Sequence, residues 1–277
     1  MIPISATTKT TAVVGYPLGH SMSPTLHNTF YTRNAIDAVM IAIAHPDIAQ
    51  VVQVLRTVPI ALAAITVPHK QTIMPLLDEI DPMAQHVGAV NTVINRNDTL
   101  VGYNTDIDGI AYALKDIPLR GKDVLLLGAG GAASVCAAYI AQQGGNLICY
   151  NRTPEKAQQL ATHWKGTAVG TIQDLLPRAP QIIINATTVG MFPAVNVMPL
   201  PQELLMKGQV VFDVIYNPQE TLLLKTAREA GARIINGLPM FIAQGLAQER
   251  LWQNIKSNPD EYTATIQEQL NQQHYAR

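Results

Sequence analysis

The sequence has little of what marks secreted, membrane or nucleic-acid-binding proteins. Only two of its 277 residues are cysteines, and Cys136 and Cys149 lack the C-x-x-C spacing of zinc or redox sites. The charge is balanced, with 19 Lys and Arg against 20 Asp and Glu, which gives no electrostatic reason to expect nucleic acid as a partner. The apolar runs at 39–44 and 60–67 are far shorter than the ~20 residues that span a bilayer.

The few cysteines, the balanced charge and the short apolar runs favour a cytoplasmic protein that acts on small molecules and needs no metal. The first ten residues lack the charged start and apolar core of a signal peptide. Hydrophobic residues make up 48% of the chain and charged residues 14%, a composition typical of a globular protein with room for two domains. We expect both cysteines to be buried apolar side chains, and the sequence leaves a monomer and a homodimer equally open.

A glycine-rich turn in the middle of the chain indicates a dinucleotide site. An apolar strand from Asp123 runs into Gly128 and Gly130, and Ala133 completes the pattern G-x-G-x-x-A. Glycines in this pattern allow backbone N–H groups and a helix N-terminus to approach a pyrophosphate. A nucleotide-binding unit therefore begins near residue 120, and the preceding residues are numerous enough to form a domain of their own.

Alternating strand and helix patterns predict an α/β fold in two domains. The first part is predicted to have strands at 11–15, 39–44, 61–67, 89–95 and 99–103 and helices at 24–33, 47–55, 71–77 and 106–115. Strands near 124–128, 146–150, 167–169, 181–185, 210–214 and 233–235 then predict a doubly wound Rossmann domain, with Thr153 as the N-cap of one helix. We place the Rossmann domain at 107–238 and the other domain at 1–106 with 239–277, because the helical stretch from Leu238 returns to cover the first domain.

The residues after the second Rossmann strand favour NADP over NAD. An NAD site has an acidic residue there to bind the ribose hydroxyls, whereas this chain has Asn151, Arg152 and Thr153. Arg152 offers a fork of donors and Thr153 a hydroxyl to a 2′-phosphate. An arginine on a solvated turn beside a helix cap is the alternative interpretation.

Polar residues at strand ends of the first domain predict a site for a polyhydroxylated acid. Ser21 and Ser23 precede a helix, where their hydroxyls can bind a carboxylate, although Ser23 would also serve as the N-cap before Pro24. Lys70 follows the third strand, and Asn91 and Asp106 lie at the ends of others. Alone, Lys70 would more often be a solvated surface charge. His20 and His27 have no metal-ligand spacing, and we interpret both as structural.

A series of motifs then resembles one family over essentially the whole chain and in order. The motifs are Gly15-Tyr-Pro-Leu-Gly-His-Ser-Met-Ser-Pro24, Leu26-His-Asn28, Thr66-Val-Pro-His-Lys70, Gly88-Ala-Val-Asn-Thr92, Gly102-Tyr-Asn-Thr-Asp106, Gly128-Ala-Gly-Gly-Ala132, Asn151-Arg-Thr153, Asn185-Ala-Thr-Thr-Val-Gly-Met191, Asp213-Val-Ile-Tyr-Asn-Pro218 and Asn236-Gly-Leu-Pro-Met240 with Gln244. On these residues the chain resembles the shikimate dehydrogenases, which reduce 3-dehydroshikimate to shikimate with NADPH in aromatic amino-acid biosynthesis. Close relatives oxidise quinate.

The resemblance implies a role for each matching residue. Lys70 and Asp106 would be the catalytic pair. Lys70 would donate the proton or, alternatively, only orient and stabilise charge. The implied substrate-binding residues are Ser21, Ser23 and Tyr216 for the carboxylate, with Thr66, Asn91 and Gln244 completing the pocket. The implied cofactor-binding residues are Gly128, Gly130, Gly131, Ala132, Asn151, Arg152 and Thr153, with Thr187, Met191 and Gly237 as further family positions.

Two departures from the family pattern leave other functions open. Ala64 stands where the family has an asparagine that reaches ring hydroxyls, and Pro239 replaces a usual glycine, which removes an N–H and fixes φ. His69 beside Lys70 would be either a titratable neighbour or a side chain at a helix start. A quinate or related cyclohexene-carboxylate dehydrogenase, a non-catalytic NADP(H)-binding regulator and, remotely, a methyltransferase remain as alternatives.

Overall fold

The fold was determined as a computed structural model that describes residues 4–19, 21–175 and 179–275. The interpretation of His20 as structural lies outside these residues. Residues 1–109 with 242–277 form one compact unit, and residues 110–241 form a second. Among the described residues, no helix combines the length and the apolar character needed to cross a membrane.

The first unit contains a six-stranded mixed sheet in the order β2-β1-β3-β5-β6-β4. Its elements are β1 Lys9–Gly15, α1 Ser23–Arg33, β2 Ala38–Ala44, α2 Ile48–Thr57, β3 Ile60–Ile65, β4 Glu79–Ile80, α3 Pro82–Val87, β5 Thr92–Arg96, β6 Thr99–Tyr103 and the first turn of α4 Asp106–Ala113, whose later residues belong to the second unit. Strands β1, β2 and β3 are parallel, whereas β5 runs antiparallel to both β3 and β6. The carboxyl ends of β3 and β6 therefore lie at the same edge of the sheet as the beginning of β5.

The sequence-based prediction of a helix at 71–77 is wrong. Residues after Pro68 form successive turns, and only Met74–Leu76 closes a short 3₁₀ turn. Pro75 lies inside this segment and has no N–H to extend it into an α-helix. The helix α3 was missed, although Asp81 accepts a hydrogen bond from the N–H of Met83 and Pro82 opens the helix, which is a recognisable start signal.

The second unit has a parallel six-stranded sheet in the order β12-β11-β10-β7-β8-β9, the doubly wound Rossmann arrangement. Its elements are β7 Asp123–Leu127, α5 Gly131–Gln142, β8 Asn146–Tyr150, α6 Pro154–His163, β9 Thr167–Ala168, β10 Ile182–Asn185, β11 Val210–Asp213, α7 Leu222–Glu229 and β12 Arg233–Ile235. The central strands β7 and β10 are apolar on both faces and almost fully buried, as helix-covered parallel sheets require. The predicted α/β fold class is therefore confirmed.

Two helices end the described chain, α8 Leu238–Gln253 and α9 Asp260–Tyr275. Residues from Ile242 onward belong to the first unit. The prediction of helix from Leu238 to the end is broken at 254–259, where Asn254 has a φ of +58° and Pro259 follows. Both cysteines are buried, as predicted, and burial raises the pKa of the Cys149 thiol to about 12.

Candidate active site

Lys70 and Asp106 form an ion pair at the carboxyl edge of the first sheet. The Lys70 Nζ lies 2.6 Å from the Asp106 Oδ2, and the two side chains are 18% and 5% exposed. Lys70 lies in the turns after β3, and Asp106 begins α4 directly after β6. Lys70 is thus a largely buried, paired cation and not the solvated surface charge that a lone lysine would more often be.

Asn91 holds the other oxygen of Asp106. Its Nδ2 donates to Asp106 Oδ1 at 2.8 Å, while its Oδ1 accepts from the backbone N–H of Thr105 at 2.8 Å. The same Nδ2 lies 3.3 Å from Gln244 Oε1 on α8. Asn104 fixes the start of α4, because its Oδ1 accepts from the Asp106 N–H at 3.0 Å. The structure thus brings Lys70, Asn91, Asp106 and Gln244 into one hydrogen-bonded group.

The serines lie at the N-terminus of α1, but Ser23 is not the N-cap. Met22 occupies that position, and α1 begins at Ser23. Ser21 Oγ accepts from the Ser23 N–H at 3.3 Å, so the capping role falls to the preceding serine. Pro24 lies in the first turn of α1, where its missing N–H costs the helix no hydrogen bond.

Thr66 joins β3 to the Lys70 turn through its backbone. Its N–H donates to the Val14 carbonyl at 2.8 Å, and its carbonyl accepts from the His69 N–H at 2.9 Å. A Cβ on Gly15 would lie 2.5 Å from Thr66 Cγ2, so only glycine fits at that crossing. His69 is buried in the turn and its Nε2 bonds the His45 carbonyl at 2.8 Å, so the interpretation as a helix-start side chain is wrong.

The glycine turn of the second unit fits a dinucleotide pyrophosphate. Gly128 has a φ of +112°, and a Cβ there would meet the Ala186 carbonyl at 3.1 Å, so the position requires glycine. Gly130 is the N-cap of α5, and a Cβ there would meet nothing within 4 Å, which means that the space beside it is open. Gly131 and Ala132 form the first turn of α5, whose N–H groups have no acceptors within the helix.

The residues predicted for the 2′-phosphate follow β8 directly. Asn151 Nδ2 donates to the Thr153 carbonyl at 3.0 Å and closes the turn, on which Arg152 and Thr153 are exposed. Thr153 is the N-cap of α6 by position, as predicted, but its side chain makes no capping hydrogen bond. The Thr153 hydroxyl is therefore not used to cap α6.

The remaining predicted positions of the second unit lie after β10, after β11 and before α8. Thr187 donates through its Oγ1 to Asn185 Oδ1 at 2.7 Å, and Met191 is exposed. The Tyr216 ring stacks on Phe241 with centroids 4.5 Å apart. A Cβ on Gly237 would lie 2.0 Å from the Val214 carbonyl oxygen, which excludes any side chain there.

A buried polar cluster beneath these loops was not recognised as a unit from the sequence. Asp213 Oδ2 accepts from Thr221 Oγ1 at 2.7 Å, and its Oδ1 accepts from Asn185 Nδ2 at 3.0 Å and from the Ile215 N–H at 3.1 Å. Burial raises the pKa of Asp213 to about 6 against the opposing effect of these donors. Asn185 and Asp213 each end a strand within a family motif, which is the signal that could have paired them.

The two departures from the family pattern have different structural consequences. Ala64 is buried in β3, where it pairs in register with Val13 and Thr92. Pro239 is the second residue of α8, where a helix does not use the N–H. The expected loss of an N–H at Pro239 therefore costs the helix no hydrogen bond.

The fold and these groups define a pyridine-nucleotide-dependent oxidoreductase, with a Rossmann unit joined to a unit that carries a lysine–aspartate pair. Two family models match the chain, the shikimate dehydrogenase substrate binding domain at residues 13–93 and shikimate / quinate 5-dehydrogenase at residues 111–214. The chain belongs to the shikimate dehydrogenase family.

Individual relatives are similar to this chain over nearly its full length. The shikimate dehydrogenase (NADP(+)) of Moorella thermoacetica is 39% identical over 266 residues, which cover 91% of this chain and 90% of that protein. A crystal structure of a shikimate dehydrogenase in complex with NADP+ is similar with a TM-score of 0.89 and 35% identity, over 97% of this chain and 98% of that one. The enzyme of Thermus thermophilus in complex with NADP(H) and shikimate has a TM-score of 0.87 and 32% identity, over 94% and 99% of the two chains.

Proposed function

We propose that this protein is an NADP-dependent shikimate dehydrogenase that interconverts 3-dehydroshikimate and shikimate. The single observation that carries the proposal is the Lys70–Asp106 pair, with Asn91 and Gln244 bonded to it at one sheet edge. A nucleotide-binding regulator has no need of such a proton-transfer pair. Residues 1–106 with 239–277 would be the substrate-binding domain, and 107–238 the NADP-binding domain.

In the substrate-binding domain, Lys70 would act on the C3 oxygen. Reduction of a carbonyl builds negative charge on its oxygen, and the ammonium group of Lys70 stabilises that charge and donates the proton. Asp106 Oδ2 accepts a hydrogen bond from the ammonium group and holds it in place. Ser21 and Ser23 would bind the substrate carboxylate, and Thr66, Asn91 and Gln244 the ring hydroxyls. The same proposal assigns Tyr216 to the substrate.

NADP would supply or accept the hydride when bound. Gly128, Gly130, Gly131 and Ala132 would hold its pyrophosphate on the α5 N-terminus, where the open space beside Gly130 supports the assignment. Asn151, Arg152 and Thr153 would bind the 2′-phosphate. The further cofactor positions are Thr187, Met191 and Gly237. We also propose that the protein is a monomer or a homodimer in the cytoplasm. Both cysteines are free thiols, which are typical of a reducing compartment.

Initial rates of NADP⁺ and NAD⁺ reduction by the purified protein, with shikimate and separately with quinate, test this function. We expect NADP⁺ reduction with shikimate, and we expect Lys70→Ala to abolish it while NADP⁺ binding persists. Binding of NADP⁺ without turnover of either acid would overturn the proposal in favour of a regulator. A preference for quinate would favour the second candidate, a quinate or related dehydrogenase, for which the missing amide at Ala64 is the supporting observation.

A further inference from the structure

A buried glutamine one helical turn beyond Gln244 bonds the strand that carries Asn91. Gln248 of α8 is 1% exposed, and its Nε2 donates to the Asn91 carbonyl at 3.1 Å and to Thr92 Oγ1 at 3.0 Å. A carbonyl oxygen only accepts hydrogen bonds, so the NH₂ end of Gln248 must face it. The Thr92 hydroxyl beside it is therefore an acceptor from Gln248.

The Thr92 hydroxyl in turn donates a hydrogen bond to the side chain of Asn91. Its own proton points at Asn91 Oδ1, which lies 2.7 Å away. That oxygen also accepts from the N–H and the hydroxyl of Thr105, at 2.8 Å and 3.2 Å, so three donors fix the orientation of the amide. The NH₂ end of Asn91 then faces Asp106 Oδ1 at 2.8 Å, and the opposite carboxylate oxygen faces Lys70.

Gln248 thus donates to Thr92, Thr92 donates to Asn91, and Asn91 donates to Asp106 of the catalytic pair. We propose that Gln248 and Thr92 are positioning residues that act on the reacting groups through the side chain of Asn91. Neither is among the residues assigned to substrate or cofactor. The inference rests on the proposed function for its kinetic consequence, whereas the orientation of the Asn91 amide is independent of turnover.

The first test is Thr92→Val, which keeps the shape of the side chain and removes the hydroxyl. We expect kcat with shikimate and NADP⁺ to fall on the order of tenfold, because small misplacements of reacting groups are costly. Thr92→Ser should restore it, and Gln248→Met should lower kcat in the same way. Thr11→Val is the matched control. Thr11 is a fully buried threonine of the same sheet whose hydroxyl bonds Tyr31 instead, and kcat should be unchanged.

A double-mutant cycle separates positioning from general loss of structure. If Thr92 acts through Asn91, Thr92→Val should cost nothing further in an Asn91→Ala background. An equal tenfold loss in both backgrounds would overturn the proposal. So would parent-like kcat in both Thr92→Val and Gln248→Met, and this second result would leave the proposed function intact.

An activity-independent measurement covers the case in which the parent does not oxidise shikimate, which would refute the proposed function alone. In protein labelled with ¹⁵N-asparagine, the Asn91 side-chain resonance is assigned by its absence in Asn91→Ala. We expect Thr92→Val to shift this resonance and to accelerate its proton exchange, and Thr11→Val to leave it in place. An unchanged Asn91 resonance in Thr92→Val would overturn the positioning role.

Discussion

The ammonium group of Lys70 and the carboxylate of Asp106 are 2.6 Å apart with little access to solvent, so each charge depends on the other for compensation. We expect Asp106→Asn to lower kcat by about 10²-fold or more, because it removes the negative charge that holds the ammonium group of Lys70 in place. Steady-state kinetics with shikimate and NADP⁺ would measure this.

Asp108→Asn is the matched control on the same helix. Asp108 forms an exposed pair with Arg250 at 2.9 Å, and such pairs contribute about 0–1 kcal/mol. Its kcat should equal that of the parent. Equal kcat for Asp106→Asn and the parent would refute a catalytic role for the pair.

Arg152 should determine the preference for NADP over NAD. We expect Arg152→Ala to weaken NADP⁺ binding by about 10- to 100-fold, since hydrogen bonds to a charged group contribute about 1.5–3 kcal/mol, and to leave NAD⁺ binding unchanged. Titration of the purified protein with each nucleotide would measure both affinities. Arg233→Ala, an exposed arginine on β12 of the same unit, should change neither affinity. A parallel loss of both nucleotides in Arg152→Ala would contradict a contact with the 2′-phosphate.

The raised pKa of Asp213 predicts how stability changes with pH. The folded pKa of about 6 exceeds the unfolded value of 3.8, so between these values the folded state binds more protons than the unfolded state. The contribution of Asp213 to the free energy of unfolding therefore falls as pH rises from about 4 to 6, by on the order of 3 kcal/mol.

Asp213→Asn removes this titration and retains an oxygen acceptor. Urea unfolding at pH 4, 5, 6 and 7 should show that the variant gains stability relative to the parent as pH rises through this window. The difference should be constant above pH 7. A constant difference from pH 4 to pH 7 would show that Asp213 titrates elsewhere.

His27, Glu249 and Tyr31 form a second buried polar group, in the core of the first unit. His27 Nδ1 bonds Glu249 Oε1, which also accepts from the Tyr31 hydroxyl at 2.8 Å, and burial beside Glu249 raises the pKa of Tyr31. His27 Nε2 and Glu249 Oε2 are buried without partners among the described residues. His27 is thus structural, as the sequence predicted.

Removing one member of this group should destabilise the fold more than removing both. We expect His27→Leu to cost about 3–5 kcal/mol, because the buried Glu249 side chain then keeps only the Tyr31 hydroxyl as a partner, and His27→Leu with Glu249→Leu to recover part of that loss. Arg228→Gln, which breaks an exposed pair with Glu220, should cost about 1 kcal/mol or less. Urea unfolding would measure all three. A double variant less stable than His27→Leu would contradict this energetic account.

Sequence alone could predict the features that have local causes. The glycine turn at Gly128 and the apolar strands around it follow from backbone geometry and periodicity. The prediction of a helix at 71–77 was wrong because the apolar pattern was given more weight than Pro75. The prediction of Ser23 as the N-cap was wrong because the residue at which a helix begins depends on the backbone conformation of a single turn. Gln248 gave no signal, because its bonds to Asn91 and Thr92 cross about 150 residues of chain and depend on the packing of α8.

Ala64 offers the sharpest test of the substrate. Its position in β3 lacks the family's asparagine, and one hydrogen bond to an uncharged hydroxyl contributes about 0.5–1.5 kcal/mol. If shikimate is the natural substrate, we expect Ala64→Asn to raise kcat/KM for shikimate by about 2- to 10-fold.

The neighbouring residue Ala63 provides the control substitution for Ala64→Asn. Ala63 points to the opposite face of β3 and packs in the hydrophobic core, so Ala63→Asn should lower the melting temperature without improving kcat/KM. An improvement confined to Ala64→Asn would indicate that this site accepts the ring hydroxyl and lost the contact by substitution. No improvement in a stably folded Ala64→Asn variant would argue that the pocket evolved for a different ring acid, because the added amide would then have no hydroxyl to bind.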